Sequence, residues 1–163
     1  LIMTTEINSI PLALTAREIP SNPVASQLPP RLAVQFQGRQ RRRLGDQFGL
    51  TNFGVNLTRL APGGRSAFLH AHARQDEFIY VVEGHPTLVT SDGKAAMAPG
   101  MCAGFKAGSG RAHYLLNDTE SEVWYLEVGD RMAGDIASYP EDDLQGQLIN
   151  GAWVFTRKDG SSL

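Results

Sequence analysis

Two histidines stand one residue apart at the start of the segment HAHARQDEFIYVVEG, which runs from residue 70 to residue 84. Side chains two positions apart on a β-strand point to the same side, so the imidazoles of His70 and His72 face one direction. Imidazole is the most common protein ligand for transition metals, and two on one face begin a metal site. Alternatively, a His-x-His pair on an exposed strand is ordinary polar surface.

Two further residues can complete this pair. Glu77 adds a carboxylate from the next strand if residues 73–76 (ARQD) form a turn, and His113 belongs to a later strand that can cross the same sheet. Three imidazoles and one carboxylate leave open positions on an octahedral metal, as a catalytic metal needs for substrate or water. The remaining histidine, His85, directly follows a glycine turn, and we interpret it as polar surface.

The elements that must position these residues are short strands. Between residues 54 and 130, β-branched and aromatic segments end in Gly or Pro turns about every 8 to 12 residues, without a competing helical period. A late strand is predicted in AWVFTRKDG, residues 152–160. This pattern favours an all-β antiparallel sandwich or barrel.

Alternation along the predicted strands indicates which side chains face the interior. If Glu77 faces the metal, Ile79 and Val81 line the barrel and make the pocket largely apolar. Tyr125 and Glu127 alternate with Trp124 and Leu126, and either pair can face inward. An inward Glu127 would be a candidate acid or base, although we expect it to be exposed.

Composition describes one globular domain and excludes several classes of partner. The 163 residues are 42% hydrophobic and 20% charged, with a formal net charge of −2. Such a charge gives no general attraction to nucleic acid or an anionic membrane, and no apolar run approaches a membrane span. The single cysteine, Cys102, excludes a disulfide framework within the chain, which favours a reducing compartment and a cytoplasmic protein. We expect Cys102 to be a buried small hydrophobe.

The first 37 residues differ from the rest of the chain in their high proline content. Five prolines predict an extended N-terminal arm over residues 1–37, followed by a single barrel domain over residues 38–163; they are Pro11, Pro20, Pro23, Pro29 and Pro30. Such an arm can cover a sheet edge of a partner subunit. The segment GRQRRRLGDQFGLTNFG, residues 38–54, contains four arginines, which we interpret as a solvated face or interface rim and not as a nucleic-acid patch.

The glycines around the candidate ligands carry a resemblance to the cupin superfamily. Every fixed position of its first motif is matched, by Gly64, His70, His72, Glu77 and Gly84. The second motif is matched in part, by Gly93, Pro99, Gly108, His113 and Asn117. This second match departs from the usual motif, since Lys106 replaces a proline and four residues, SGRA, precede His113.

The resemblance implies a double-stranded β-helix, or jelly roll, and a homodimer. It implies that one divalent transition metal (Fe, Mn, Ni, Zn or Cu) is bound by His70, His72, Glu77 and His113. The chain is most similar to a group of small bacterial single-domain cupins, some of which are described as resembling sugar phosphate isomerases.

Two classes of function are compatible with these residues. The first is a metal-dependent enzyme acting on a small organic or sugar-like molecule as an isomerase, lyase or oxygenase. The second is a non-catalytic module that binds or senses a small ligand. The complete ligand set favours the enzyme. Few cations are expected inside the barrel, where only Arg65, Lys106 and Arg111 lie near the predicted mouth, and this argues against a phosphorylated substrate.

Overall fold

A computed structural model of the chain describes residues 10–21 and 28–163, so Pro23 of the predicted arm lies outside the described residues. The described residues are predominantly β-structure. Their strands are β1 (Arg39–Arg43), β2 (Phe53–Leu60), β3 (Ala71–His72), β4 (Glu77–Glu83), β5 (Thr87–Thr90), β6 (Gly93–Ala96), β7 (Cys102–Phe105), β8 (His113–Leu116), β9 (Val123–Asp130), β10 (Ile136–Ser138), β11 (Gln145–Ile149) and β12 (Ala152–Thr156). Two four-residue helices, α1 (Pro30–Ala33) and α2 (Leu44–Gln47), and two 3₁₀ turns (Ala16–Glu18 and Val34–Phe36) accompany them.

The strands form two facing layers. One layer is a five-stranded antiparallel sheet in the order β1-β2-β9-β4-β7. The other contains a four-stranded sheet, β12-β11-β10-β3, and a three-stranded sheet, β6-β5-β8. Isolated antiparallel bridges pair Arg65 and His70, which precede β3, with Leu116 and His113 of β8. The fold is therefore the all-β jelly roll that the turn spacing and the cupin-like motifs predicted.

Strand alternation separates the core from the outer surface as predicted. On β4, Ile79 and Val81 are buried, whereas Phe78, Tyr80 and Val82 are exposed. The core between the layers consists of Leu60, Ile79, Val81, Met97, Phe105, Leu115, Val123 and Tyr125. Because side chains alternate with a period of two, the inner face of β4 that holds the core also directs Glu77 inward.

The arginine-rich segment is a strand, and the interpretation of this run as a solvated face or rim was wrong. Residues 39–43 form β1, which pairs along its whole length with β2. Arg39 and Arg41 are on the inner face and line the central cavity, whereas Arg42 lies over the ring of Trp124 outside it. A run of charged residues hides this alternation, because the usual contrast between apolar and polar positions is missing.

The segment before β1 contributes to a second apolar cluster. Phe36 is buried against Phe68 and Leu144, and Leu28 and Leu32 pack against the same cluster. Phe36 meets Phe68 edge to face, with ring centroids 4.9 Å apart. These contacts anchor residues 28–36 to the barrel next to the cavity. Among the described residues, no helix has the length and apolar composition needed to cross a membrane.

Candidate metal centre

His70 and His72 are held at the junction of the two smaller sheets. The backbone of His70 pairs with that of His113, whose N–H donates to the His70 carbonyl at 2.8 Å. The Nδ1 of His70 donates to the carbonyl oxygen of Phe68 at 3.0 Å. This bond leaves Nε2 of His70 free to act as a ligand, since it determines which ring nitrogen carries the proton.

His72 is oriented by a carboxylate that the sequence did not reveal. Its Nδ1 lies 2.5 Å from Oδ2 of Asp135, and Oδ1 of the same carboxylate accepts the N–H of Arg74 at 2.7 Å. Asp135 is completely buried. An acid that fixes a histidine from behind is a common feature of protein metal sites. Sequence inspection missed Asp135 because it stands alone in a loop 63 residues from His72.

Glu77 is the centre of the cluster. Its Oε2 lies 3.3 Å from Nε2 of His113 and 3.7 Å from Nε2 of both His70 and His72. Burial alone would raise the pKa of Glu77, but His113 and His70 lower that pKa well below its usual value. Burial likewise opposes the charged form of His70, yet Glu77 raises the pKa of this histidine. The site therefore favours a carboxylate anion among imidazoles.

The fourth residue, His113, has buried nitrogens that need a partner. Its ring stacks on Phe105, with centroids 3.4 Å apart and planes inclined by 2°. Among the described residues, neither Nδ1 nor Nε2 of His113 has a hydrogen-bond partner. An unsatisfied buried nitrogen is costly, and a metal ion facing Nε2 would satisfy that atom. The donor set thus fits a divalent transition metal.

The structure brings together the residues predicted to bind a metal. Candidate ligand atoms of His70, Glu77 and His113 all lie within 4.8 Å of one another. His72 lies outside this tight group, although its Nε2 approaches the same carboxylate oxygen as the other two imidazoles. We retain all four residues as the candidate ligand set, with His72 at its edge.

The cluster opens into the interior of the barrel. A cavity of about 570 Å³ is bounded by His70, His72 and Glu77 at the cluster and by aromatic residues from the later strands. Tyr139 stacks on His70 with ring centroids 6.0 Å apart, and Trp153 meets His72 edge-on at 5.8 Å. A cavity of this size accommodates a small organic molecule beside the cluster.

The part of the cavity wall formed by β1, β2 and β9 is polar, contrary to the largely apolar interior that was predicted. Glu127 faces the cavity and is not exposed as expected, because β9 pairs with β2 in the register that sets Glu127 opposite Asn56. Its carboxylate accepts bonds from Arg41 Nη2 and Asn56 Nδ2, both at 3.1 Å. Burial disfavours the charged form of Arg41, but Glu127 raises the pKa of this guanidinium.

The cations predicted for the mouth lie outside the large cavity, although Lys106 and Arg111 line a smaller pocket at His72, Glu77 and His113. Arg65 lies over the rings of Tyr114 and Phe68, and Arg111 pairs with Asp92 at the surface. Neither lines the large cavity, and neither does Lys106. Their place is taken by arginines of β1, so the expectation of few interior cations was wrong.

His85 and Cys102 both lie away from the candidate metal site. His85 is exposed, in agreement with its interpretation as polar surface. Cys102 is exposed as well, so its expected burial was wrong. It is paired in register with Tyr80 on the outer face of the five-stranded sheet, whereas the buried core occupies the other face.

Comparison with known proteins agrees with this geometry. A family model for the cupin domain (Cupin_2) matches residues 56–129. A solved structure of a sugar phosphate isomerase from a cupin superfamily, from Silicibacter pomeroyi, is 41% identical, covers 93% of this chain and 96% of that one, and has a TM-score of 0.87. The chain belongs to the cupin superfamily. No curated protein matches this cupin.

Two other solved structures share the cupin fold at lower identity. A candidate sugar phosphate isomerase from Acidithiobacillus ferrooxidans is 26% identical, covers 83% of this chain and 94% of that one, and has a TM-score of 0.70. The polyketide cyclase RemF from Streptomyces resistomycificus is 19% identical, covers 72% and 78%, and has a TM-score of 0.60. At 19% identity, the second similarity concerns the fold alone.

Proposed function

We propose that this cupin is a metal-dependent isomerase acting on a small sugar-like molecule. The observation that carries the proposal is the convergence of three imidazole Nε2 atoms on one carboxylate oxygen, Oε2 of Glu77, at an open cavity. A purely structural cluster would not need access to a cavity of this kind. The names of the Silicibacter and Acidithiobacillus proteins support isomerisation over lyase or oxygenase chemistry.

The proposed ligands are His70, His72, Glu77 and His113, which would hold one divalent transition metal. When bound, such a metal supplies Lewis-acid polarisation of a substrate oxygen. Phe68 and Asp135 hold two of the imidazoles with Nε2 directed toward Glu77. This support from behind keeps the ligands in place without the substrate.

Isomerisation also needs a group that takes up and returns a proton. Glu127 is a carboxylate on the cavity wall outside the metal cluster, and Asn56 and Arg41 hold both of its oxygens in position. We propose Glu127 as this acid and base. The rings of Tyr139 and Trp153 line the cavity beside His70 and His72.

The experiment that tests the proposal combines metal content with turnover. We expect the purified protein to contain about one equivalent of a transition metal by mass spectrometry, and to interconvert an aldose and its ketose isomer. The Glu77→Gln and His113→Ala variants should lose metal and activity together. The His85→Ala variant is the matched control, because His85 is an exposed histidine outside the cluster.

Two results would contradict the proposal in different ways. Unchanged metal content in both the Glu77→Gln and His113→Ala variants would exclude this metal site. Stoichiometric binding of a sugar by metal-loaded protein without turnover would indicate the binding or sensing module instead of the enzyme.

A further inference from the structure

We infer that Arg39 and Arg41 form a binding site for an anionic group of the substrate, a carboxylate or a phosphate, on the cavity wall. This inference deepens the proposed function and rests on it in one respect, namely that the cavity holds the substrate. The site lies on β1, in the segment whose sequence indicated only surface charge.

The position of the two arginines follows from the pairing of β1. Arg39 stands opposite Leu60 and Arg41 opposite Thr58, two residues of β2 that are completely buried. Both arginine side chains therefore belong to the inner face of the five-stranded sheet. They line the same cavity as His70 and Glu77, so one small molecule can contact the metal cluster and this wall together.

Arg39 is a cation without an acidic partner among the residues that the structure describes. Its guanidinium donates to the carbonyl oxygen of Ser66 and lies 4.9 Å from the ring centroid of Phe36. Within residues 10–21 and 28–163, no carboxylate forms an ion pair with Arg39, and its buried Nε has no hydrogen-bond partner. Burial, followed by repulsion from Arg41, lowers the pKa of Arg39 to about 10, so it is still charged at neutral pH.

Arg41 is paired, but its hydrogen bonds are not complete. Its Nη2 binds Glu127, whereas its Nε is buried and, in the part of the chain that the structure describes, unbonded. Glu127 thus pairs with Arg41, and the guanidinium of Arg39 is left without an ion pair among the described residues. Unpaired charge and unsatisfied donors inside a protein are costly. An anionic group in the cavity would offset the unpaired charge of Arg39.

Other arginines at the cavity do not supply this charge. Arg43 and Arg131 both line the cavity, and both pair with the carboxylate of Asp46. Of the four arginines that line the cavity, Arg39 is therefore the one without a carboxylate partner among the described residues. Guanidinium groups match carboxylates and phosphates because their planar donors bind two oxygens at once. A neutral hydroxyl compound lacks this match.

The test compares three small molecules that differ in charge. Glycerol 3-phosphate, glycerate and glycerol are titrated calorimetrically into protein freed of metal by chelation and then dialysed to remove the chelator. We expect at least one of the two anions to bind about tenfold or more tightly than glycerol. The order of the two anions distinguishes phosphate from carboxylate. Equal binding of all three compounds, or no binding of either anion, would overturn the inference.

Variants of β1 locate the effect. Arg39→Gln should weaken binding of the preferred anion about 10- to 100-fold, and Arg41→Gln should act in the same direction. The matched control is Arg42→Gln, because Arg42 is on the same strand but lies over Trp124 outside the cavity. Anion binding that is unaffected by Arg39→Gln, or equally weakened by Arg42→Gln, would overturn the assignment.

The Arg41→Gln variant leaves Glu127 without its ion pair, which can destabilise the fold. Its effect on folding must therefore be measured separately from its effect on anion binding. Arg39→Lys and Arg41→Lys keep the charge, and thermal unfolding shows whether each variant is folded. We expect both to be folded and to bind the anion less tightly than wild type but more tightly than the Gln variants. The titrations use metal-free protein, whereas metal content is measured on the protein as purified. If the purified protein contains its metal but the metal-free protein binds neither anion, only this inference is overturned. Missing turnover with intact anion binding contradicts only the proposed isomerase.

Discussion

Asp135 is the residue whose role is most sharply defined by its contacts. Its carboxylate is completely buried and holds His72 Nδ1 at 2.5 Å. Replacement of this carboxylate by an amide removes the strong acceptor that orients His72. A carboxylate in this position acts by orienting the histidine that binds the metal, and it does not contact the metal itself. Asp135 is therefore a positioning residue.

We predict that Asp135→Asn lowers metal affinity about 10- to 100-fold while the protein remains folded. The measurement is competition with a chromophoric chelator, accompanied by thermal unfolding. Asp92→Asn is the control, because Asp92 is an exposed acid that pairs with Arg111 at the surface. Wild-type metal affinity in the Asp135→Asn variant would show that His72 does not contribute as a ligand.

Glu127 is the second residue whose role can be tested by a single substitution. We predict that Glu127→Gln lowers kcat about 10²- to 10⁴-fold, since removal of a general acid or base has effects of this size. Metal content should be unchanged, because Glu127 is outside the ligand cluster. Steady-state kinetics with metal analysis provides the measurement. A raised KM with unchanged kcat would instead show that Glu127 only orients Arg41.

At the scale of elements, the end of β4 depends on a glycine. Gly84 has φ +83°, and a Cβ there would lie 2.4 Å from the carbonyl oxygen of Glu122 and 2.9 Å from Cα of Val123. The pairing of β4 with β9 shifts register just before this point, between Val81 and Glu83. Gly84 therefore allows the turn and also the close approach of β9.

We predict that Gly84→Ala destabilises the fold by about 3 kcal/mol, from backbone strain and steric overlap together. Gly63→Ala is the matched control, because Gly63 has φ +75° but no atom of the described residues lies within 4 Å of a Cβ placed there. This control should cost about 1 kcal/mol from strain alone. Urea denaturation measures both values. If both variants lost the same free energy of unfolding, β9 would be able to move away from the added methyl group at residue 84 without a measurable energetic cost.

At the scale of the whole molecule, the outer face of the five-stranded sheet is the surface most suited to self-association. Val55, Val128 and Phe78 are aligned in register across three strands, and Leu126 and Tyr80 are aligned in the adjacent row. Phe78 and Tyr80 are exposed in the single chain. Contiguous apolar surface of this kind commonly marks a protein interface.

The homodimer expected from the sequence stays a prediction, and this face is where we place it. Light scattering should give twice the 17.7 kDa of one chain for the wild type. Tyr80→Glu should give the mass of one chain, since a carboxylate would be buried in the interface. Met132→Glu, which alters an exposed apolar residue in a loop, should remain dimeric. A monomeric wild type, or a dimeric Tyr80→Glu variant, would exclude this interface.

Short-range patterns in the sequence predicted an all-β sandwich or barrel, and the resemblance to the cupin motifs implied the jelly roll and the four candidate metal ligands. The turn glycines and the period of two along β4 are local properties, so they show which residues face inward without knowledge of their partners. His70, His72 and Glu77 lie within eight consecutive residues, and the family-like spacing added His113. Three of the strands, β1, β10 and β11, carry no clear local pattern and were not predicted.

The remainder of the site was decided only by the tertiary structure. Asp135 meets His72 across 63 residues, and Arg41 meets Glu127 across 86. Neither contact leaves a local pattern, because the pairing of distant strands determines it. Strand pairing also placed Arg39 inside the cavity, although the surrounding run of charges indicated solvent. Whether a charged side chain is surface or binding site depends on the strand beside it, and only the folded chain specifies that neighbour.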